Sequence, residues 1–220
     1  MNISNETNAV MKNITNKADT RKKMNYGVRF TTMTAMLSAI AFILMYLEIP
    51  LPMIMPDFIK FDFSDLPALI GTFAFGPVSG VIICLIKNLL HLMVSKSMFV
   101  GELSNFILGC AFVIPAGLIY HFKKTKMGGL LGGVVGAIFM GEFSIVSNYF
   151  IVYPVYYKVA MPEEVILGAY QAILPFMKSI LQCLVCFNLP FTIVKGLISV
   201  AICMVFYKPI SLVLKGRDNR

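Results

Sequence analysis

The chain has 220 residues, of which 58% are hydrophobic and only 14% charged, and its formal net charge is +8. Soluble domains contain about 45–50% apolar and about 25% charged residues. This composition excludes a typical cytosolic enzyme and an intrinsically disordered chain, because so few charges do not cover a water-exposed surface. The positive residues lie at the ends of apolar segments rather than on one soluble face. That pattern excludes a nucleic-acid-binding domain and is typical of an integral membrane protein.

The N-terminal segment, residues 1–27, is polar and rich in Asn, Thr and Lys. It has no apolar core of signal-peptide length, so we expect a disordered cytoplasmic tail. Residues 28–214 are predicted to form one transmembrane domain, and residues 215–220 a short cytoplasmic tail.

The apolar segments predict an all-α bundle of six transmembrane helices. A bilayer core about 30 Å thick is crossed by about 20 helical residues. The segments that qualify, the second only just, are 30–49, 65–75, 78–94, 103–122, 128–156 and 189–214. A further apolar stretch, 166–187, contains polar residues and Pro175, and we interpret it as a partly inserted or extracellular helix, with a seventh span as the alternative.

Charge asymmetry predicts the orientation. The two tails, the helix ends that adjoin them (Arg29 and Lys208) and the 123–126 loop carry thirteen of the nineteen Lys and Arg residues. The positive-inside rule therefore places both termini in the cytoplasm and favours an even number of spans.

Two helices carry stripes of small residues, which allow close approach of helices in lipid. On the first helix, Ala35 and Ala39 lie four residues apart, and this face packs either within the bundle or against another subunit. On the fifth helix, the glycines of 128–136 favour internal packing.

Polar residues in the spans predict a site in the outer half of the bundle. Asn188, Thr192, Lys195 and Ser199 follow one another at steps of four, three and four, so they share one stripe of the sixth helix. A charge in a span costs about 2.5–3.5 kcal/mol. Lys195 either extends its ammonium to the outer surface or lines a cavity, and the continuous stripe favours a cavity.

Three further groups lie near the outer ends of other helices. Glu102 begins the fourth helix and Asn148 lies near the end of the fifth. Lys87 and His91 are one turn apart on the third helix; we interpret them as a structural pair or an interfacial anchor, since a histidine beside a lysine is a poor metal site.

The loop after the first helix, residues 48–58, combines three prolines with several apolar residues. An apolar loop that is exposed to water is unfavourable unless it covers a ligand or another surface. It is therefore predicted to be a lid over a flat ligand in an outward-facing cavity, with a position in the lipid interface as the alternative.

Motifs for energy conversion and catalysis are absent from the sequence. There is no G-x-x-x-x-G-K-[ST] loop, no H-E-x-x-H and no G-x-S-x-G. The five cysteines lie in apolar stretches and predict packing rather than disulfides or a metal site. We therefore expect no enzyme activity, no metal and no cofactor, and a partner that supplies the energy.

Five runs of residues match the pattern of a known family. The runs are Lys60-Phe61-Asp62-Phe63-Ser64-Asp65-Leu66-Pro67-Ala68-Leu69-Ile70-Gly71, Phe75-Gly76-Pro77, Lys87-Asn88-Leu89-Leu90-His91, Gly101-Glu102-Leu103-Ser104-Asn105-Phe106 and Leu189-Pro190-Phe191-Thr192-Ile193-Val194-Lys195-Gly196. They resemble the riboflavin-specific substrate-binding (S) components of energy-coupling factor (ECF) transporters, and the likeness extends over roughly residues 30–210.

The resemblance implies a bacterial plasma-membrane protein that captures riboflavin from outside. It implies import through a complex with a transmembrane coupling subunit and two ATPase subunits, the coupling subunit docking at Ala35 and Ala39. The implied substrate-binding residues are Leu51 and Pro52 at the flavin ring, and Glu102, Asn148, Asn188, Thr192 and Lys195 at the ribityl chain and ring edge. Thr192 stands where the family pattern leads us to expect asparagine, with Asn188 one turn earlier.

Two other functions remain open at this stage. An S component for a different vitamin or precursor needs only a different lid and sixth-helix stripe. A membrane-embedded lipid-modifying enzyme needs a cytoplasmic metal-binding acidic cluster or a nucleophile–base pair, neither of which the sequence offers.

Overall fold

The computed structural model describes residues 27–95 and 99–215, with side chains described up to residue 206. The predicted tails, up to residue 26 and from residue 216, lie outside the described residues. The helices are α1 (Gly27–Tyr46), α2 (Asp65–Phe75), α3 (Pro77–His91), α4 (Val100–Phe122), α5 (Lys126–Ser147), α6 (Tyr153–Val159), α7 (Glu163–Ile173), α8 (Ile180–Cys183) and α9 (Leu189–Lys215). A 3-10 turn, Leu92–Val94, follows α3, and two short strands, β1 (Ile49–Pro50) and β2 (Lys60–Phe61), lie between α1 and α2.

The prediction of a helical membrane protein is confirmed in its main features, because the chain is mostly helical and its long helices are apolar. Five helical segments in the described ranges are long and apolar enough to span a bilayer: Gly27–Tyr46, Pro77–Val94, Val100–Phe122, Lys126–Val159 and Ile180–Phe206. The predicted second span, α2, has 11 residues and is about 16 Å long, about half of a bilayer core.

The last span begins earlier than predicted. Instead of starting at residue 189, the helix begins with α8 at Ile180, where the Ser179 side chain accepts a hydrogen bond from the backbone N–H of Gln182 at 3.3 Å. Residues 180–187 therefore belong to this span, and α7 is the separate helix between the last two spans. The polar residues of the 166–187 stretch cluster around the turn between α7 and α8.

Two π turns explain how prolines fit into the long helices. The π turns Asn148–Val152 and Leu184–Asn188 lie two residues before Pro154 and Pro190. In each, the next residue donates its backbone N–H to the carbonyl five residues earlier. Because proline has no N–H to donate and its ring needs space, the wider turn lets the helix continue. Each π turn also carries a buried asparagine, Asn148 or Asn188.

The glycines of α5 pack within the bundle, as the sequence favours. A Cβ added to Gly132 or Gly136 would lie 2.6 Å from the backbone oxygen of Ala116 or Phe112 on α4. On the other side of α5, a Cβ on Gly133 would lie 2.7 Å from Val200 of α9. Helix α5 is thus held against the α4 backbone on one side and against the Val200 side chain of α9 on the other.

The close contact at Gly136 predicts a large effect of one methyl group. Gly136→Ala is expected to lower the free energy of unfolding by about 1–3 kcal/mol, because a backbone oxygen does not yield as a side chain does. Thermal unfolding in detergent measures the change. The matched control is Gly168→Ala in α7, where nothing lies within 4 Å of the added Cβ. Equal melting temperatures for the two variants would contradict the packing argument.

Candidate functional site

Four buried charged residues form the centre of the site, and we call them the buried charge network: Asp62, Asp65, Lys87 and Lys195. Lys195 Nζ lies 2.9 Å from Asp62 Oδ2 and 3.2 Å from Asp65 Oδ2. Lys87 Nζ lies 2.7 Å from Asp65 Oδ1. All four residues are 8% exposed or less. The two positive and two negative charges balance, and together they connect the loop after α1 with α2, α3 and α9.

The network corrects two sequence interpretations. Lys195 is ion-paired inside the protein, so the interpretation that it extends to the outer surface is wrong. Lys87 and His91 are not a pair: Lys87 also donates to Ser64 Oγ at 2.6 Å, and His91 Nδ1 lies 2.8 Å from Glu102 Oε1. Both residues are buried, which also rules out an interfacial anchor. The physical reason is that charges in a span need counter-charges from other elements.

The local backbone geometry holds the Asp62 carboxylate in position for its ion pair with Lys195. Its Oδ1 accepts the backbone N–H of Ser64 at 2.8 Å, a turn that precedes α2. Burial, and the nearby carboxylate of Asp65, raise the pKa of Asp62, but the ammonium groups of Lys195 and Lys87 and the hydrogen bond from Ser64 outweigh them. The pKa of Asp62 is therefore below its ordinary value, so the carboxylate is charged at neutral pH.

Next to the network, α4 presents two polar residues. Ser104 donates to Asn148 Oδ1 at 3.3 Å, and Asn105 Nδ2 lies 3.5 Å from Asp62 Oδ2. Two buried amide oxygens, Asn88 Oδ1 and Asn105 Oδ1, have no hydrogen-bond partner in the described ranges. A buried acceptor without a donor costs about 1–3 kcal/mol. These oxygens are therefore suited to accept hydrogen bonds from a bound molecule.

A chain of hydroxyl groups leads from α6 to the second π turn. The Tyr153 and Tyr170 hydroxyls are 2.6 Å apart, and Tyr170 donates to Asn188 Oδ1 at 2.6 Å. Tyr170, on α7, is fully buried. Burial and the neighbouring Tyr153 raise the pKa of Tyr170 well above its ordinary value, so the hydroxyl keeps its proton as a donor.

The loop between α1 and α2, residues 47–64, is pinned at several points. Strands β1 and β2 pair antiparallel, with Ile49 opposite Phe61. Across this hairpin, Lys60 forms an ion pair with Glu48. Met55 is buried, and the Phe58 ring lies 6.0 Å from the ring of Tyr156. The proline-rich loop is therefore an ordered strap that contacts α6, α7 and α9.

The structure places the predicted site residues as follows. The polar ones are all buried: Glu102, Asn148, Asn188, Thr192 and Lys195. Leu51 is half-buried, and its carbonyl accepts the backbone N–H groups of Ile54 and Met55 at 2.9 Å, whereas Pro52 is exposed. Ala35 and Ala39 are exposed on α1. The described residues contain no cluster of three or more His, Cys, Asp or Glu side chains placed to hold a metal ion.

Sequence reasoning missed the partners of these residues, namely Asp62, Asp65 and Tyr170. A signal for the aspartates was available. Two lysines lie within spans, and the only acidic residues spaced one turn apart near a span are Asp62 and Asp65. Nothing in the sequence singles out Tyr170 among nine tyrosines.

The network predicts unequal effects of removing two lysines. Lys87→Met leaves Asp65 short of one counter-charge and is expected to lower the free energy of unfolding by about 3–5 kcal/mol. Adding Asp65→Asn should recover part of that loss. Lys60→Met is the control, because its ion pair with Glu48 is partly exposed and is expected to contribute about 0–1 kcal/mol. Thermal unfolding measures all three, and equal effects of the two lysine variants would refute the network.

Comparisons with known proteins agree with this architecture. The family described as "ECF transporter, substrate-specific component" matches residues 28–207. The chain is 32% identical over 196 residues to the riboflavin transporter RibU of Staphylococcus aureus, covering 89% of this chain and 97% of that protein. It is 31% identical over 189 residues to the riboflavin transporter FmnP of Bacillus subtilis, covering 82% and 92%.

A solved structure gives the same result for the fold. The structure reported as the S component of a bacterial ECF transporter superposes with a TM-score of 0.66 at 31% identity, covering 85% of this chain and 98% of that chain. The family is a transport component rather than an enzyme, which excludes the lipid-modifying alternative. The long apolar helices, the match over most of the chain and the structural superposition together place this membrane protein in the family of substrate-specific components of ECF transporters.

Proposed function

We propose that this chain captures riboflavin at the outer face of the membrane and passes it inward in complex with an ECF coupling module. The observation that carries the proposal is the pair of buried amide oxygens without a partner in the described ranges, Asn88 Oδ1 and Asn105 Oδ1. The names of the relatives supply the ligand: both relatives described above are riboflavin transporters.

The unpaired groups suit the chemistry of riboflavin. Asn148 and Asn188 each accept a hydrogen bond through Oδ1, and each amide nitrogen carries two N–H groups. They offer donors for the ring carbonyls and ring nitrogens of a flavin. The unpartnered oxygens of Asn88 and Asn105 offer acceptors for ribityl hydroxyls or the ring N–H. A ligand without these groups would leave the amides unpaired, which is a strong basis for specificity.

Lys195 has a double role in the proposal. An ammonium group has three N–H donors, and Asp62 and Asp65 take two of them. The third is available to a carbonyl of the ligand. Because Asp62 belongs to the strap, Lys195 would connect the bound ligand with the loop that covers it, and Leu51 and Pro52 would provide the apolar contact with the flavin ring.

The finer architecture is part of the proposal. With α2 as a short sixth membrane element, both termini lie in the cytoplasm, as the distribution of Lys and Arg favours. The strap, α7 and the site then lie on the outer side, where riboflavin arrives. The proposed ligand site lies where the strap meets α9.

Riboflavin titration into the detergent-purified protein tests the assignment. We expect saturable, stoichiometric quenching of flavin fluorescence, which is easily followed because the chain has no Trp. Lys195→Met should weaken binding at least about 10-fold, since a hydrogen bond to a charged group contributes about 1.5–3 kcal/mol. Asn148→Ala should weaken it about 2–10-fold. Lys158→Met, at an exposed lysine of α6, is the matched control and should bind as the parent does.

The outcomes separate the alternatives. Failure of the well-folded parent to bind riboflavin would overturn the ligand and favour an S component for another vitamin. If both Lys195→Met and Asn148→Ala bind as tightly as the parent, riboflavin binds elsewhere and the proposed site is wrong.

Helix α1 supports a docking role for its small residues. Thr34 and Ser38 face inward: Thr34 Oγ1 lies 2.9 Å from Ser79 Oγ, and both residues are buried. Ala35 and Ala39, on the neighbouring stripe, are exposed. This arrangement leaves an outward face of small residues, and we assign it to the transmembrane coupling subunit of a complex that also contains two ATPase subunits.

Enlarging that face should uncouple binding from transport. The double variant Ala35→Leu/Ala39→Leu is expected to bind riboflavin normally but to lose uptake in cells that co-express the ECF module, because the added side chains prevent close helix approach. Val135→Leu, at an exposed position of α5, is the control for added volume in lipid. Normal uptake by the double variant would place the docking face elsewhere.

A further inference from the structure

We propose that Tyr170 is a positioning residue of the ligand site: its hydroxyl holds the Asn188 amide so that an N–H of Nδ2 donates to the bound ligand. The inference rests on the proposed function and adds α7, a helix outside the long spans, to the binding apparatus. Tyr170 itself is fully buried and does not touch the ligand.

The hydrogen-bond chain fixes the direction of the amide. Tyr170 has a single hydroxyl proton and gives it to Asn188 Oδ1 at 2.6 Å. The Tyr153 hydroxyl, 2.6 Å away, then donates to the Tyr170 oxygen. The Asn188 side chain also lies in hydrogen-bonding range of Tyr153, and since an amide nitrogen carries two N–H groups, at least one remains for a ligand.

The surroundings of Tyr170 keep its hydroxyl in place. The Phe58 ring of the strap meets the Tyr170 ring edge to face at 6.1 Å. On the other side, the Phe187 ring lies 5.3 Å away, within the π turn that ends at Asn188. The ring is therefore part of a packed apolar cluster, while the hydroxyl serves only the two polar partners. The Tyr170→Phe variant therefore removes the hydrogen bonds of the hydroxyl and keeps the packing of the ring.

The location of Asn188 connects this chain to the site. Asn188 is one turn before Thr192 and two turns before Lys195 on the same stripe, and Lys195 is the residue that pairs with the strap. The wider π turn immediately before α9 sets the direction of the asparagine. An amide in this position that rotated freely would bind a flavin acceptor less well, because its orientation would have to be fixed on binding.

A double-mutant cycle on riboflavin affinity tests the proposal. Tyr170→Phe should weaken binding about 3–10-fold, and Asn188→Ala by at least as much, since each removes about one hydrogen bond. In the Asn188→Ala background, Tyr170→Phe should add less than about 2-fold, because a positioning residue has nothing left to position. Tyr157→Phe is the matched control, as its hydroxyl has no hydrogen bond to the described residues.

A second variant distinguishes the N–H donors of the Asn188 side chain from its oxygen acceptor. Asn188→Asp keeps an acceptor for Tyr170 but loses the N–H groups, so it should weaken riboflavin binding at least about 10-fold. Its melting temperature in the ligand-free state shows whether the fold survives. This variant also keeps the proposal testable if Tyr170→Phe does not fold.

Three results would overturn the proposal. Tyr170→Phe that melts earlier but binds riboflavin as the parent does would make the tyrosine purely structural. Additive losses in the double variant would make it independent of Asn188. Normal binding by Asn188→Asp would show that the amide N–H is not used. Failure of the parent to bind riboflavin is a different result and refutes the proposed function instead.

Discussion

The arrangement of the helices depends on two lysines inside apolar helices, because each of them needs a negatively charged partner. Lys87 and Lys195 lie on different helices, and both are buried. Asp65 at the start of α2 meets both of them, and Asp62 in the strap meets Lys195. Because an unpaired buried charge is far more costly than a paired one, these contacts fix where α2 and the strap lie relative to α3 and α9. The short helix α2, which is too short to cross a bilayer, is held in place by this electrostatic constraint.

Around that centre, the backbone itself helps to direct the polar side chains. The two π turns occur before Pro154 and Pro190, and each contains an asparagine. One extra residue in a helical turn changes the direction of every side chain that follows. The prolines thus have a consequence beyond their own positions, because the wider turn that accommodates them also directs a polar group toward the interior of an otherwise apolar helix.

Much of the fold can be predicted from the sequence, because helix length, apolar content and small-residue stripes are each set by one continuous segment of the chain. The bounds of α2 and the internal packing of the α5 glycines are examples. The last span begins at Ile180 rather than at residue 189, because the polar residues that set the 166–187 stretch apart, such as Lys178 and Gln182, lie at the capped start of that helix. The partners of Lys87 and Lys195 were missed for a different reason: an ion pair such as Asp62–Lys195 joins residues far apart in sequence, and spacing along one helix carries no information about them.

The glycine contacts of α5 also limit how the molecule moves. At Gly132 and Gly136 the α5 backbone lies against carbonyl oxygens of α4, and Gly133 lies against Val200 of α9. The α5 backbone lies directly against main-chain oxygens of α4, and the Val200 side chain fills the contact with α9, so sliding of α5 along either helix would bring atoms into collision. Helices α4, α5 and α9 therefore form one closely packed unit. The strap is attached to this unit through the ion pair of Asp62 with Lys195, so any displacement of the strap away from α9 has to separate two buried charges.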